Sequence, residues 1–208
     1  LNGDTPGGGP LRSLANHALN LNQITHLRKT MERVEDLSPL TPLRLATLSN
    51  GTTDFMIPAM AVSALRHGIA VQVANVPFGM VAQQAFDPNS ELYRGNPDVV
   101  LLALDHRGLP LQDSADAALA YVKDLCRAIT ETCDALIIVQ TLAPVPEPLF
   151  GNFDSLYDAS TKARIEAFNA GLVRLVAGGP QVLLDAATIA ATVGLDTWHD
   201  PVQWYLAK

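Results

Sequence analysis

Charged residues are scarce in this chain. Only 17 % of its 208 residues are Asp, Glu, Lys or Arg, where about 25 % is usual for a soluble domain. A surface so thinly charged leaves room for cover by something outside the chain. What charge there is sums to −7, and no cluster of five or more basic residues occurs, which argues against a nucleic-acid partner. No apolar run approaches the roughly 20 residues of a membrane span, so no membrane partner is expected. The first ten residues, Leu-Asn-Gly-Asp-Thr-Pro-Gly-Gly-Gly-Pro, are polar and lack the basic region that opens a secretory signal. Cysteine is nearly absent: Cys126 and Cys133 are the two. Seven apart in a helical pattern, they share a face at about 10 Å, too far for a disulfide. They read as structural thiols in a reducing cytoplasm. The alternative, a catalytic thiol, is weakened by the place of Cys133, just before a strand and opposite the edge where a site is expected. No set of His, Cys and carboxylates has metal-ligand spacing, so no metal is expected in this chain.

What is present is organised around residues 43–54, Leu-Arg-Leu-Ala-Thr-Leu-Ser-Asn-Gly-Thr-Thr-Asp. An apolar run follows Pro42 and ends in small polar residues, and an apolar-periodic segment starts at Phe55. The order reads as strand, polar turn, helix. Open α/β sheets place their sites at the carboxyl edge of such strands. Upstream, residues 1–10 read as a flexible Gly/Pro-rich linker. Residues 11–42 read as a helical extension of two helices, the second starting near 22–25, ending in the rigid Ser-Pro-Leu-Thr-Pro connector at 38–42. These helices form a small subdomain or cover an edge of the sheet.

Strands are expected over 43–49, 70–76, 99–104, 135–140 and 181–184, with helices over 55–67, 80–86, 113–133, 160–177 and 186–193 and another starting at 201–207. In the first of these helices Met56, Ala59, Met60, Ser63 and Ala64 are expected to face inward. Short apolar strands alternating with helices predict an α/β fold over 43–208, with a five-stranded parallel sheet, helices on both faces and a flavodoxin-like order 2-1-3-4-5.

Four features fall after strands, at one edge of that sheet. The turn Ser49–Thr53 offers backbone N–H groups to an anion or oxyanion, or is a tight connection in which Thr52 or Thr53 caps the helix. It has no P-loop lysine, and the chain has no G-x-G-x-x-G. Asp196-Thr197-Trp198-His199 places a carboxylate three residues before an imidazole, the base half of a Ser-His-Asp system, or is a surface turn with Trp198 packed on the core. Asp105 and His106 follow the third strand and either meet a ligand or form a solvated loop. Asn152, in Phe-Gly-Asn-Phe at 150–153, either points its amide into the cleft or forms a turn. His17, His26 and His67 read as ordinary surface or boundary residues.

Two resemblances follow from these stretches. The element order, the polar turn and Asp196-x-x-His199 resemble the SGNH (GDSL-type) hydrolases. Their first block reads Gly-Asp-Ser-x-Thr/Ser, and this chain has Ser49-Asn50-Gly51-Thr52-Thr53, so Gly51 stands where the nucleophilic serine would be. Ser49, two residues earlier, is the nearest hydroxyl substitute. Nearly the whole chain after residue 11 is also similar to the N-terminal part of FkbH-like proteins of the haloacid-dehalogenase (HAD) superfamily. The stretches that carry this are Leu-Asn-Leu-Asn-Gln at 19–23, Thr-Asp-Phe at 53–55, Tyr93, Pro-Asp-Val-Val-Leu-Leu-Ala-Leu-Asp at 97–105, Phe-Gly-Asn at 150–152 and Trp-His-Asp-Pro-Val-Gln-Trp-Tyr-Leu-Ala-Lys at 198–208.

That resemblance implies a following HAD phosphatase domain, with Asp-x-Asp chemistry and Mg2+, that takes a glyceryl group from 1,3-bisphosphoglycerate onto an acyl carrier protein in polyketide assembly. No Asp-x-Asp-x-Thr-type motif occurs here, so Mg2+ is expected only in that other domain and no cofactor in this chain. The implied partners are an acyl carrier protein and the HAD domain of the same protein. The implied role is a degenerate hydrolase fold, with His199 oriented by Asp196 in a cleft shared with Asn50, Gly51, Thr52, Asp105, His106 and Asn152. The alternative is an active acyl hydrolase or transferase using Ser49 or Thr52 with His199.

Overall fold

A computed structural model describes residues 7–74, 76–145, 148–200 and 202. Five parallel strands form its sheet: β1 (Thr41–Ser49), β2 (Ile69–Val73), β3 (Val99–Ala103), β4 (Leu136–Gln140) and β5 (Val182–Leu184), in the order β2-β1-β3-β4-β5. Nine helices are described: α1 (Gly8–Ala15), α2 (Leu21–Met31), α3 (Ile57–Arg66), α4 (Val81–Phe86), α5 (Glu91–Arg94), α6 (Ala115–Thr132), α7 (Thr161–Ala177), α8 (Ala186–Val193) and α9 (Leu195–Trp198). The expected α/β fold, its parallel five-stranded sheet and its strand order are what the structure has.

Local chemistry sets the boundaries. Ser114 Oγ accepts the N–H of Ala117, Ser160 Oγ that of Ala163, and Asp185 Oδ1 that of Thr188, so the three helices after them begin where a side chain replaces the missing backbone acceptor. The α2 start differs from the expected 22–25. Asn20 and Gln23 form a reciprocal capping box at 3.0 and 2.9 Å, which starts the helix at Leu21. Neither Thr52 nor Thr53 caps α3 through its side chain; Met56 is the N-cap, and the N–H groups of Met56 and Ile57 donate to the Thr53 carbonyl.

Alternation along the strands divides the core between two faces. Ala46, Leu48, Val100, Leu102, Ile137 and Val139 pack into the main cluster with α6 and α7 residues, Phe168 and Leu125 among them. Leu45, Val71, Val99 and Leu101 face the other way, against Met60 and Ala64 of α3. A third cluster lies outside α3, where Ala61, Val62 and Leu65 meet Leu11 and Ala15 of α1 and Leu27 and Met31 of α2. Met60 and Ala64 thus face the sheet as expected, and the rest of the expected inward face of α3 is corrected. Met56, Ala59 and Ser63 are exposed, because α1 and α2 add a fourth layer that gives α3 a second apolar stripe.

A further correction concerns the expected linker. Helix α1 already begins at Gly8, which is buried; a Cβ there would lie 2.0 Å from the Leu37 carbonyl oxygen. Residues 1–6 lie outside the described residues, as do 201 and 203–207 of the expected last helix.

The entry to the central strand pair is fixed by charge. Arg44 of β1 grips Asp98, just before β3, through Nη2 at 2.7 Å and Nε at 3.1 Å, and its backbone N–H adds a bond of 2.8 Å. The Arg44 side chain, then the Arg44 backbone N–H, hold the Asp98 carboxyl down at about 2. Cys126 is buried and its thiol is pushed up to about 11 by desolvation; Cys133 is the half-buried C-cap of α6, at the amino edge of the sheet, and both are free.

The Leu37 contact is with backbone, which cannot swing aside. Gly8→Ala is expected to lower stability by about 1–3 kcal/mol through overpacking. Gly9→Ala, with nothing within 4 Å of the added Cβ, is expected to be neutral or slightly stabilising. Thermal denaturation of the two variants checks this.

Candidate functional site

Strand β1 ends in Ser49, which is buried. Its Oγ accepts the Gly51 N–H at 3.1 Å, closing a local turn, and its carbonyl accepts the Gly79 N–H at 2.8 Å. Asn50 then reaches across to the end of β3. Its Nδ2 donates to Asp105 Oδ1 at 2.7 Å, and its Oδ1 accepts the Asp105 N–H at 3.0 Å. Asp105 Oδ1 also accepts the N–H groups of Arg107 and Gly108, at 2.7 and 3.1 Å. Gly108 makes this approach possible: a Cβ there would lie 2.6 Å from Asn50 Cγ. Thr52 Oγ1 accepts the Asp54 N–H at 3.4 Å.

Beside this brace lies a cleft of about 170 Å³. The residues after β3 form one wall, Leu104, Asp105, His106 and Arg107; residues 140–145 at and after β4 form the second; Ala186, Trp198 and His199 close it from beyond β5. His106 and His199 therefore share one cavity, though 93 residues separate them in the chain. Burial pushes His106 below its ordinary pKa of about 6.5. The Arg107 charge and His199 push the same way, against Asp105. Near neutral pH this imidazole is uncharged, offering one donor and one acceptor.

The hydroxyls are otherwise engaged. Thr141 carries the one side-chain hydroxyl among the described lining residues. It donates to Asp185 Oδ1 and accepts the Ala187 N–H, both at 2.9 Å. Ser49, Asn50, Gly51 and Thr52 are not among the described lining residues; they reach the cleft wall through the Asn50–Asp105 pair. Asp196 is exposed and forms no hydrogen bond or ion pair with His199 among the described residues. Asn152 is exposed on a 3-10 helix, Gly151–Ser155, and also lies apart from the described cleft lining. That helix is anchored by buried Asp154, which accepts the N–H groups of Leu149 and Phe150.

The structure thus brings together Asp105, His106 and His199, and ties the 49–52 turn to them. Sequence reasoning missed Gln140 and Thr141 as lining residues. Their only signal was position: Gln140 is the last residue of β4 and donates through Nε2 to the Leu104 carbonyl at 3.1 Å.

Two outcomes follow from this geometry. In Asn50→Asp the donor facing Asp105 becomes an acceptor, and two carboxylates then meet. The variant is expected to be destabilised by about 1–3 kcal/mol at pH 7, and to regain part of that below about pH 5, as one carboxyl takes a proton; urea melts at both pH values check it. In an NMR titration, the His106 ring is expected to have its midpoint below the ordinary 6.5. Arg107→Gln and His199→Gln should each move it upward. Because the folded-state value is depressed, protonation of His106 costs stability as pH falls from about 6.5 through the folded midpoint.

Comparison with known proteins completes the picture. The family described as FkbH, N-terminal domain, matches residues 44–208. Among solved structures, the N-terminal part of the protein BF1531 from Bacteroides fragilis superposes with a TM-score of 0.78 at 17 % identity, over 91 % of this chain and 51 % of that one. That structure is described as containing a phosphatase domain complexed with Mg; this chain spans about half its length, and the likeness concerns the fold alone. No curated protein matches the chain. With the family match running from β1 to the last residue, the chain belongs to the FkbH N-terminal domain family.

Proposed function

We propose that this domain serves, within an FkbH-like protein, as a holding module that assists transfer of a glyceryl group from 1,3-bisphosphoglycerate to an acyl carrier protein, with phosphatase-type Mg2+ chemistry on a following domain. The observation that carries the holding role is the state of the cleft. Two imidazoles share it, its one described hydroxyl, that of Thr141, donates to Asp185, and neither Ser49 nor Thr52 is among the described lining residues. A base with no nucleophile in reach binds and orients; it does not form an acyl-enzyme. His106 and His199 are proposed to hydrogen-bond the glyceryl hydroxyls or its thioester carbonyl, with Asp105 and Asn50 keeping the His106 wall in place. Family membership supports the larger setting, and the structural neighbour with a phosphatase domain is in keeping with it.

The test is a titration of the protein with glyceryl-loaded and unloaded carrier protein. The loaded form is expected to bind more tightly, with the difference reduced about tenfold by His199→Ala, as for loss of one hydrogen bond to a charged or polar group. Absence of binding for both forms defeats the proposal. Hydrolysis of p-nitrophenyl acetate is expected to stay at background. An esterase rate abolished by His199→Ala but kept in His26→Ala, whose imidazole is exposed on α2, would establish the acyl hydrolase instead.

A further inference from the structure

Strands inside a parallel sheet are normally covered on both faces, and β4 and β5 are not. Alternation and register place Leu136, Ile138, Val182 and Leu184 on the face that carries α3. Leu136 lies beside Val99, Ile138 between Leu101 and Val182, and Leu184 beside Gln140. Under α3, Val99 and Leu101 are 8 % and 7 % exposed. Farther along the same face Leu136, Val182 and Leu184 are 45 %, 43 % and 36 % exposed.

Topology explains why this half is bare. Right-handed crossovers send the β1–β2 connection to one face and the β3–β4 and β4–β5 connections to the other. The α6 and α7 residues accordingly pack against Ile137 and Val139 on the opposite side. Within one polypeptide, only chain before β1 or after β5 can cover the open half. Helices α1 and α2 lie on the outside of α3, so a cover from the same polypeptide comes after β5. The described chain after β5, through α8 and α9, leaves the stripe exposed.

We infer that the open face of β4 and β5 is the seat of the phosphatase-type domain that follows in the same polypeptide. This rests on the reading proposed above, in which such a domain follows. A stripe of Leu136, Ile138, Val182 and Leu184, broken by Gln140 and carrying no charged side chain, suits a lasting contact within one chain, because it would otherwise stay in water at about 25 cal/mol per Å² of apolar area. The structural neighbour, twice as long as the matched region, has the further chain such a contact needs.

The experiment uses the full-length protein with Val182→p-benzoylphenylalanine, irradiated and mapped by mass spectrometry. The expected result is an intramolecular cross-link to a peptide beyond Lys208. A cross-link to a second copy, a cross-link within residues 1–208, or none at all overturns the inference. As a second measurement, Val182→Glu in the full-length protein is expected to speed proteolytic separation of the domains by about tenfold. Leu21→Glu, at a position 76 % exposed at the start of α2, should leave that rate unchanged; equal rates for the two variants also overturn it. If the full-length protein lacks Mg2+-dependent phosphatase activity, the functional reading fails. If it has that activity and the cross-link is missing, only the docking inference fails.

Discussion

One reciprocal pair, Asn50 with Asp105, carries the carboxyl edge of this sheet. The Asn50 amide donates to the Asp105 carboxylate and accepts the Asp105 backbone N–H across the ends of β1 and β3, and the same Asp105 carboxylate oxygen accepts the N–H groups of Arg107 and Gly108. The Arg107 N–H is satisfied there, and the Gly108 N–H is shared with the Asp105 carbonyl at 3.1 Å. The result is a loop fixed in one conformation, with His106 held at a set place on the cleft wall. The amino end of the same strand pair has its own clamp in Arg44 and Asp98. The central strands are thus bolted at both ends by side chains more than fifty residues apart, and the outer strands hang on that frame.

The brace also decides what the edge can do. An Asn amide that donates to one carboxylate and accepts its N–H has little capacity left for a ligand, so Asn50 positions the wall. Ser49 and Thr141 are occupied in the same way, one by its own turn and the other by the cap of α8. Subtracting these leaves the imidazoles of His106 and His199 as polar groups suited to meeting a bound molecule. Burial weakens the His106 ring's hold on a proton, and the Arg107 charge and the His199 ring add to the effect, against Asp105.

Much of the fold was legible because it rests on local signals: continuous apolar runs for β3 and β4, serines ahead of α6 and α7, an aspartate ahead of α8. The parts that were not legible depend on contacts distant in sequence. Nothing in Gly-Gly-Gly announces that Gly8 must lie against Leu37, and the periodicity of α3 cannot tell which of its two apolar stripes meets the sheet. The site shows the same division. That Asp105, His106 and His199 would meet follows from topology, since all leave carboxyl ends of strands. The Asp196-x-x-His199 spacing promised a bonded pair. It fails to give one because α9 is a single turn and His199 is its C-cap, with extended dihedrals of −109° and 112° that take it out of the helical register.

The scarcity of charge now has a structural address. Exposed aromatic and aliphatic side chains gather in the connections that leave the carboxyl ends of the strands: Phe55 after β1, Phe78 and Met80 after β2, and Phe150, Phe153, Leu156 and Tyr157 after β4. The last group is rigidly presented, since buried Asp154 pins the backbone and Phe150 meets Tyr157 edge-on at 5.9 Å. A second concentration is the aliphatic stripe on β4 and β5. Single exposed apolar residues need no explanation, but two built concentrations on one small domain do. They differ in kind. The first belongs to the loops that leave the carboxyl ends of the strands. The second belongs to the sheet itself, where a vacancy in the layer order is a defect of the fold until another element fills it. The two are therefore separate apolar surfaces of one domain, one carried by loops and one by the sheet.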